Sequence, residues 1–458
     1  MIATIPRSSL PDIAWPAIVT DDAARLLALQ VQFRRSERWP ADRMRAHQFA
    51  QLRQLLTHAD RTMPFWRTRL RAAGIAPDTA LTPDAWARIP ILARSEAQDA
   101  GDALYCLSIP PAHGERQTAS TSGSTGRPLR VARTDIQQIF WHAFLLRDML
   151  WHRIDFSAKN ATLRTMRNAG PGSEEGISAD SLGGHLDSLF FTGPACAFNI
   201  LRPTAEQAAW LLREDPAYLL TFSSNLSLLA QQFRDTAERP KNLRALRGFA
   251  EVVTDDARNL CREVFGVEII DAYTAEEAGY LALQCPDNIA AMHVMSESVY
   301  LEVLNAAGEP CAPGEVGRVV ITPLHNFAMP LIRYEIGDLA ECGAPCTCGR
   351  NLPVLSRILG RTRDAVIMPD GSTRAAFVGS KGFYKVPAIR QFQVAQTARD
   401  TIEVRLVVRV PLTAEEEAFI TGLVRADLDA RFRVNIVYVD TIPRASSGKS
   451  QEFKCEIA

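Results

Sequence analysis

A chain of 458 residues with 51 Lys and Arg against 52 Asp and Glu carries a net charge of −1, which excludes general attraction to nucleic acid or an anionic membrane. Its 47% apolar and 22% charged residues suit a globular protein too long for one ordinary core, so two or three domains are expected. Nine cysteines, an odd number, argue against a disulfide framework, and no apolar run reaches membrane-spanning length.

Met1 to Pro6 has neither a basic head nor an apolar h-region, so no secretory signal is expected and a cytoplasmic enzyme is the default reading. Residues 41–72 place Phe49, Leu52 and Leu56 on one helical stripe. A Gly74 stop and Pro90-Ile91-Leu92 follow, as in a helical lead-in to a larger body. Thr121, Ser122, Gly123, Ser124, Thr125 and Gly126 form a hydroxyl- and glycine-rich loop. Such a loop buries little apolar surface but offers N–H and O–H donors to an anion, a phosphate chain being the obvious guest. The alternative is a solvated linker, and the loop is not a Walker A motif, because Arg127-Pro128 follows.

Asp135 to Trp151 reads as an aromatic-rich helix, Gly170 to Gly193 as irregular, and Asp215 to Phe233 and Arg258 to Phe265 as helical units. The run Val267 to Ile270 and strands at Val299 to Leu304 and Gly317 to Thr322 complete an alternation that favours α/β layers. Near the end, Ile402 to Val410 alternates as a half-buried strand, Thr413 with Glu416 forms a capping box, and Val434 to Val439 is another strand. Residues 365–458 therefore make a small α+β domain.

Past Ile270 comes Asp271-Ala272-Tyr273-Thr274-Ala275-Glu276-Glu277. Carboxylates beyond a strand end can hold a Mg²⁺ ion on phosphate oxygens, or they can simply open a helix. Asp338, after Gly337, can accept from a ribose diol or sit in a turn. Arg357 to Asp364 is a polar joint, and Ser447-Gly448-Lys449 presents one loop lysine. Cys285, His293, Cys346 and Cys348 have spacing that suits tetrahedral zinc, with Cys342 as the alternative ligand, or they are four unrelated reduced side chains.

Taken in order, these stretches resemble the adenylate-forming superfamily, most closely its phenylacetate–coenzyme A ligase branch, over roughly residues 45–458. Thr121 to Pro128 is similar to that family's phosphate loop and Tyr273 to Glu277 to its Tyr-Gly-x-Thr-Glu motif. Arg333 to Asp338 is similar to its Tyr-Arg-x-Gly-Asp, Gly360-Arg361 to its hinge, and Ser447-Gly448-Lys449 to its terminal lysine motif. The resemblance implies a large domain over 1–360, a hinge at 361–364 and a small mobile domain over 365–458. It also implies attack of a carboxylate on MgATP with release of pyrophosphate, followed by displacement of AMP by coenzyme A. Lys449 and Glu277 would then be catalytic, Glu277 through Mg²⁺. Residues 121–126, Tyr273, Thr274, Glu276, Asp338, Arg357 and Arg361 would hold the nucleotide. The substrate the resemblance implies is a small aryl or arylacetic acid, with Trp141, Phe144, Phe190, Phe191 and Gly193 as pocket candidates. Some members carry zinc at similar positions. Transfer to an amine, a hydroxyl or a carrier-protein thiol, and a nucleotide-binding protein without turnover, are the competing readings. No nucleic-acid or membrane partner is implied, and a homodimer is admitted. Departures from the pattern are Thr274 in place of glycine, Glu276 in place of Thr or Ser, Arg363 at a usually acidic hinge position, and no lysine after Pro128.

Overall fold

The computed structural model describes residues 6–120, 128–166, 175–236, 238–361, 365–375, 382–445, 448–450 and 452–457. By contacts the chain divides into two compact units, one of residues 1–154, 184–190 and 272–358, the other of 155–183, 191–271 and 359–458.

In the first unit the helical lead-in is two helices, Ala41–Thr62 and Pro64–Ala72, divided where Pro64 enters the second at its first turn. Pro is tolerated there because its missing N–H is already an orphan position. Phe49, Leu52 and Leu56 of that stripe are buried, with Met63 and Trp66, in one core with Leu281, Ile321 and Tyr334. The main sheet has seven strands, in the order Val299–Leu304, Val316–Pro323, Tyr334–Cys342, Val354–Arg361, Asn288–Val294, Gly279–Cys285 and Ala272–Ala275. The predicted helix over Asp135–Trp151 is present with those limits, closed at its start by a capping box from Thr134 and Gln137.

The second unit is built on a six-stranded sheet in the order Ile177–Ala179, Ala195–Asn199, Asn160–Arg164, Tyr218–Phe222, Ala245–Phe249, Ile269–Ile270. All its pairs are parallel except the first. Here the helix predicted from Asp215 to Phe233 is corrected. A helix Thr204–Glu214 ends at Asp215, whose φ is +41°; strand Tyr218–Phe222 follows, and then helix Ser223–Arg234. A strand buried on both faces is a continuous apolar run, and Tyr218-Leu219-Leu220 cannot be told from a buried helix by periodicity. The region expected to be irregular also holds strand Ile177–Ala179 and helix Gly184–Leu189.

The terminal segment forms a four-stranded sheet, Arg433–Tyr438, Thr401–Val408, Ile389–Ala398 and Phe453–Cys455. Helix Ala414–Asp427 opens on the predicted Thr413/Glu416 box. Its apolar residues join those of the six-stranded sheet in one core, in which Phe383, Ile402 and Ile420 accompany Leu219 and Leu226. Compactness thus groups residues 359–458 with 155–183 and 191–271.

Candidate active site and metal centre

Two of the sequence motifs meet directly. Tyr273, on the edge strand Ala272–Ala275, donates its phenol to Asp338 Oδ2 at 2.6 Å. Asp338 is 8% exposed within strand Tyr334–Cys342, next to Gly337 with φ +85°. Glu276 and Glu277 do not open a helix; they occupy the turn between the strands Ala272–Ala275 and Gly279–Cys285. Glu277 is buried and accepts from Arg94 Nη1 at 3.0 Å, while the same nitrogen reaches Tyr334 Oη at 2.9 Å. A Mg²⁺ ion on this carboxylate would share it with Arg94. Exposed Glu276 pairs with Arg133. Thr274 lies opposite Tyr280 in the hairpin.

The phosphate-loop residues Thr121, Ser122, Gly123, Ser124, Thr125 and Gly126 lie outside the described residues. The described strands on either side, Gln117–Ser120 and Arg130–Arg133, pair antiparallel with Ser120 opposite Arg130. Arg357 is engaged by Glu341, at 2.5 Å, and Arg361 ends strand Val354–Arg361.

The lysine motif is held in the second unit. Gly448 is buried with φ +88°, and a Cβ there would come within 2.9 Å of Thr165 and Ile200 and 3.0 Å of Phe222. Those three residues stand at or just beyond the carboxyl ends of strands Asn160–Arg164, Ala195–Asn199 and Tyr218–Phe222. The connections from the central strand and from Tyr218–Phe222 run to opposite sides of the sheet. The crevice outside such a switch point is where open α/β sheets bind ligands. Arg444 fixes the loop by donating to Gly448 O at 2.9 Å and to Asn225 Oδ1 at 2.7 Å. Glu251, just past strand Ala245–Phe249, accepts the backbone N–H of Ser450 at 2.8 Å and of Ser224 at 2.9 Å. Sequence reasoning passed over Glu251. Its only signal was a carboxylate following a glycine-containing strand.

The acid-pocket candidates are not all brought together. Trp141 and Phe144 line one narrow crevice with Phe140, Gly279 and His325, whereas Phe190, Phe191 and Gly193 do not. Trp141 lies 5.1 Å from Tyr280, and Phe144 is core, stacked on Phe33 at 4.7 Å. Phe190 is fully buried, Phe191 is 70% exposed, and Gly193 abuts the Ser157 carbonyl. The crevice, about 20 Å³, has room for roughly one water, so an aryl acid requires its rings to move. Phe140, from the same aromatic-rich helix, is stacked on His325 at 4.0 Å and was not among the pocket candidates.

The metal candidates do converge. The ligand atoms of Cys285, His293, Cys346 and Cys348 all lie within 4.8 Å of one another. Cys346 and Cys285 sulfurs are 3.9 Å apart, and Cys348 Sγ is 3.3 Å from His293 Nε2. Tetrahedral zinc with thiolates at ~2.3 Å requires edges of ~3.8 Å, so the set fits. Burial pulls the His293 imidazole down to about 4, leaving it neutral, and pushes the Cys285 thiol up. A metal would displace the thiol protons. Cys342 is outside this cluster.

Comparison with known proteins follows the same lines. Residues 371–455 match the CapK C-terminal domain family. A solved 2-hydroxyisobutyryl-CoA ligase in the postadenylation state superposes with a TM-score of 0.72 at 20% identity, over 91% of this chain and 90% of that one. The fold is that of the adenylate-forming superfamily. Within it the chain resembles the phenylacetate–coenzyme A ligase branch. It is 27% identical to the phenylacetate–coenzyme A ligase of Thermus thermophilus over 342 residues, 72% of this chain and 73% of the relative. With the Pseudomonas putida enzyme of the same name it is 24% identical over 341 residues, 71% and 72% of the two chains.

Proposed function

We propose that the chain is an AMP-forming acid–thiol ligase acting on a small aryl or arylacetic acid. A carboxylate oxygen attacks the α-phosphorus of ATP and pyrophosphate leaves; the coenzyme A thiolate then attacks the acyl carbonyl and AMP leaves. The observation that carries the reading is the seating of the Lys449 loop over the carboxyl ends of three strands of the six-stranded sheet, with Gly448 fitted where no side chain has room. A glycine pressed against a strand end, with a lysine beside it and an arginine clamp behind it, suits a held reactive cation better than a surface loop. The direct hydrogen bond between Tyr273 and Asp338, two motifs 65 residues apart, supports the same reading.

In this account residues 121–126 cradle the β- and γ-phosphates and Asp338, oriented by Tyr273, takes the ribose. Lys449 offsets charge developing on the carboxylate and α-phosphate oxygens. Mg²⁺, taken by Glu277, would supply charge neutralisation of the departing pyrophosphate. Zinc on Cys285, His293, Cys346 and Cys348 would pin two loops without entering the chemistry. Segment 361–364 acts as a hinge for residues 365–458, a motion of the gating kind.

A panel of carboxylic acids assayed by ATP–pyrophosphate exchange, with and without coenzyme A, tests the proposal. Exchange that depends on an aryl acid, with a thioester appearing once coenzyme A is added, is the expected result. Exchange that ignores coenzyme A would move the acceptor to an amine, a hydroxyl or a carrier thiol, and no exchange with any acid would end the ligase reading.

A further inference from the structure

The loop that carries Lys449 is tied at both ends to the first turn of helix Ser223–Arg234. At its start Arg444 Nη2 donates to Asn225 Oδ1 at 2.7 Å, 219 positions away, and Nη1 to Gly448 O at 2.9 Å. At its end the N–H of Ser450 donates to Glu251, which also accepts from the N–H of Ser224, the residue before Asn225. Between these anchors the loop closes on itself, Ala445 N donating to Lys449 O at 2.9 Å and Gly448 N to Ala445 O at 2.8 Å.

A segment already held by a shared apolar core needs no polar side chains beside that core, and burying them is costly unless each is satisfied. Yet Asn225 and Thr221 are fully buried and Gln207 is 1% exposed. A chain of hydrogen bonds dictates how they point. The Gln207 amide nitrogen donates to two backbone carbonyls, Ile200 O at 2.9 Å and Arg202 O at 2.7 Å. Its oxygen is left to accept, and takes Asn225 Nδ2 at 2.9 Å; that same nitrogen reaches Thr221 Oγ1 at 3.2 Å. With its nitrogen spent, Asn225 presents an oxygen, and a guanidinium, which can only donate, meets it. Withdrawing Arg444 would leave that oxygen without its donor. Both oxygens that Arg444 meets are neutral. A neutral acceptor holds a cation less tightly than a carboxylate would, which suits a contact made and broken in each turnover.

We propose that Asn225, oriented by Gln207, is a positioning residue for adenylation: it takes Arg444 and so sets the Lys449 loop over the strand ends. Release of Arg444 accompanies the move to thioester formation. The inference rests on the ligase reading above.

Both half-reactions of the full chain test it, with phenylacetate or whichever acid of the panel exchanges fastest. The variants are Arg444→Met, Asn225→Ala, the two together, and Arg444→Lys. Each of the first two should lower kcat for ATP–pyrophosphate exchange about tenfold or more, the scale of one charge-assisted hydrogen bond, with KM for ATP within about twofold. The double variant should be no worse than the poorer single, because both remove the same contact, and Arg444→Lys should recover part of the rate. Thioester formation from the synthetic acyl-adenylate should keep the parent rate. Losses that multiply in the double variant, or equal loss in both half-reactions, overturn the proposal. Asn225→Ala also strips Gln207 Oε1 of its donor, so if it melts well below the parent, Arg444→Met decides alone through the split between half-reactions. Hydrogen exchange at the amides of Ala445, Gly448 and Ser450 reads the docking with no substrate present. It should quicken in Arg444→Met while strand Tyr218–Phe222 stays protected; unchanged protection there overturns the proposal even where the parent is an active ligase. A parent that exchanges with no acid ends the ligase reading itself, and this role with it, whatever the amides show.

Discussion

Lys449 and Gly448 divide their work between charge and space. In the proposed reaction the lysine brings the cation, while the glycine lets its loop lie against Thr165, Ile200 and Phe222. Lys449→Ala should therefore lower exchange by roughly 10²–10³-fold, the usual loss for one transition-state contact, with ATP binding nearly unchanged; a direct nucleotide titration beside the exchange assay checks both halves. Gly448→Ala should be almost as damaging although it removes no charge. A left-handed φ of +88° costs a Cβ-bearing residue about 1–2 kcal/mol, and the new methyl also overlaps the strand ends. Parent-like exchange in Gly448→Ala would mean the loop is not held as described. At this scale the sequence was informative about identity and poor about engagement. Glu277 could be read as a metal carboxylate, but not as the partner of Arg94, because the residues are 183 positions apart. Glu251 was overlooked because its role is made by tertiary approach to Ser224 and Ser450.

Elements with strong local chemistry were legible, and those set by burial were not. The Thr413/Glu416 box and the Asp135–Trp151 helix follow from capping and periodicity that neighbours need not supply. Strand Tyr218–Phe222 was misread because its apolar run owes its form to parallel pairing on both sides. The Cys/His cluster was legible from the Cys346/Cys348 spacing, though convergence with Cys285 and His293 needs strands Gly279–Cys285, Asn288–Val294 and Val354–Arg361 as sheet neighbours. Because metal binding adds to folding free energy, Cys346→Ser should lower zinc content and melting temperature together, and a strong chelator should lower the parent's melting point by several degrees. Elemental analysis with a thermal melt reads both; a zinc-free parent with a chelator-insensitive melt would leave the cluster as four reduced side chains.

For the whole molecule, the terminal segment matters most, because its proposed rotation must break contacts visible in the second unit. Arg390 donates to Gln231 O at 3.0 Å, Arg234 to Tyr384 O at 3.2 Å, and Arg444 to Asn225. Each is a hydrogen bond from a charged guanidinium, worth about 1.5–3 kcal/mol net, and the proposed rotation has to exchange them together with the apolar contacts the segment shares with the six-stranded sheet. Arg363→Pro, which fixes φ in the proposed hinge, should leave ATP–pyrophosphate exchange nearly intact and slow thioester formation about tenfold or more, a barrier rise of about 1.4 kcal/mol. Equal loss in both half-reactions would speak against a hinge at 361–364. The α/β class could be read from the sequence, as could the strands and capped helix of the segment expected to be a small terminal domain. The grouping of that domain's core with the six-stranded sheet could not, since it depends on apolar faces such as Phe383 and Leu219 whose partners are fixed only by the fold.

The most direct measurement is a crystal structure of the chain with MgATP and a non-reactive acid analogue. The account predicts the triphosphate within hydrogen-bond distance of residues 121–126 and the ribose hydroxyls on Asp338. Phosphates bound well away from that loop would contradict it.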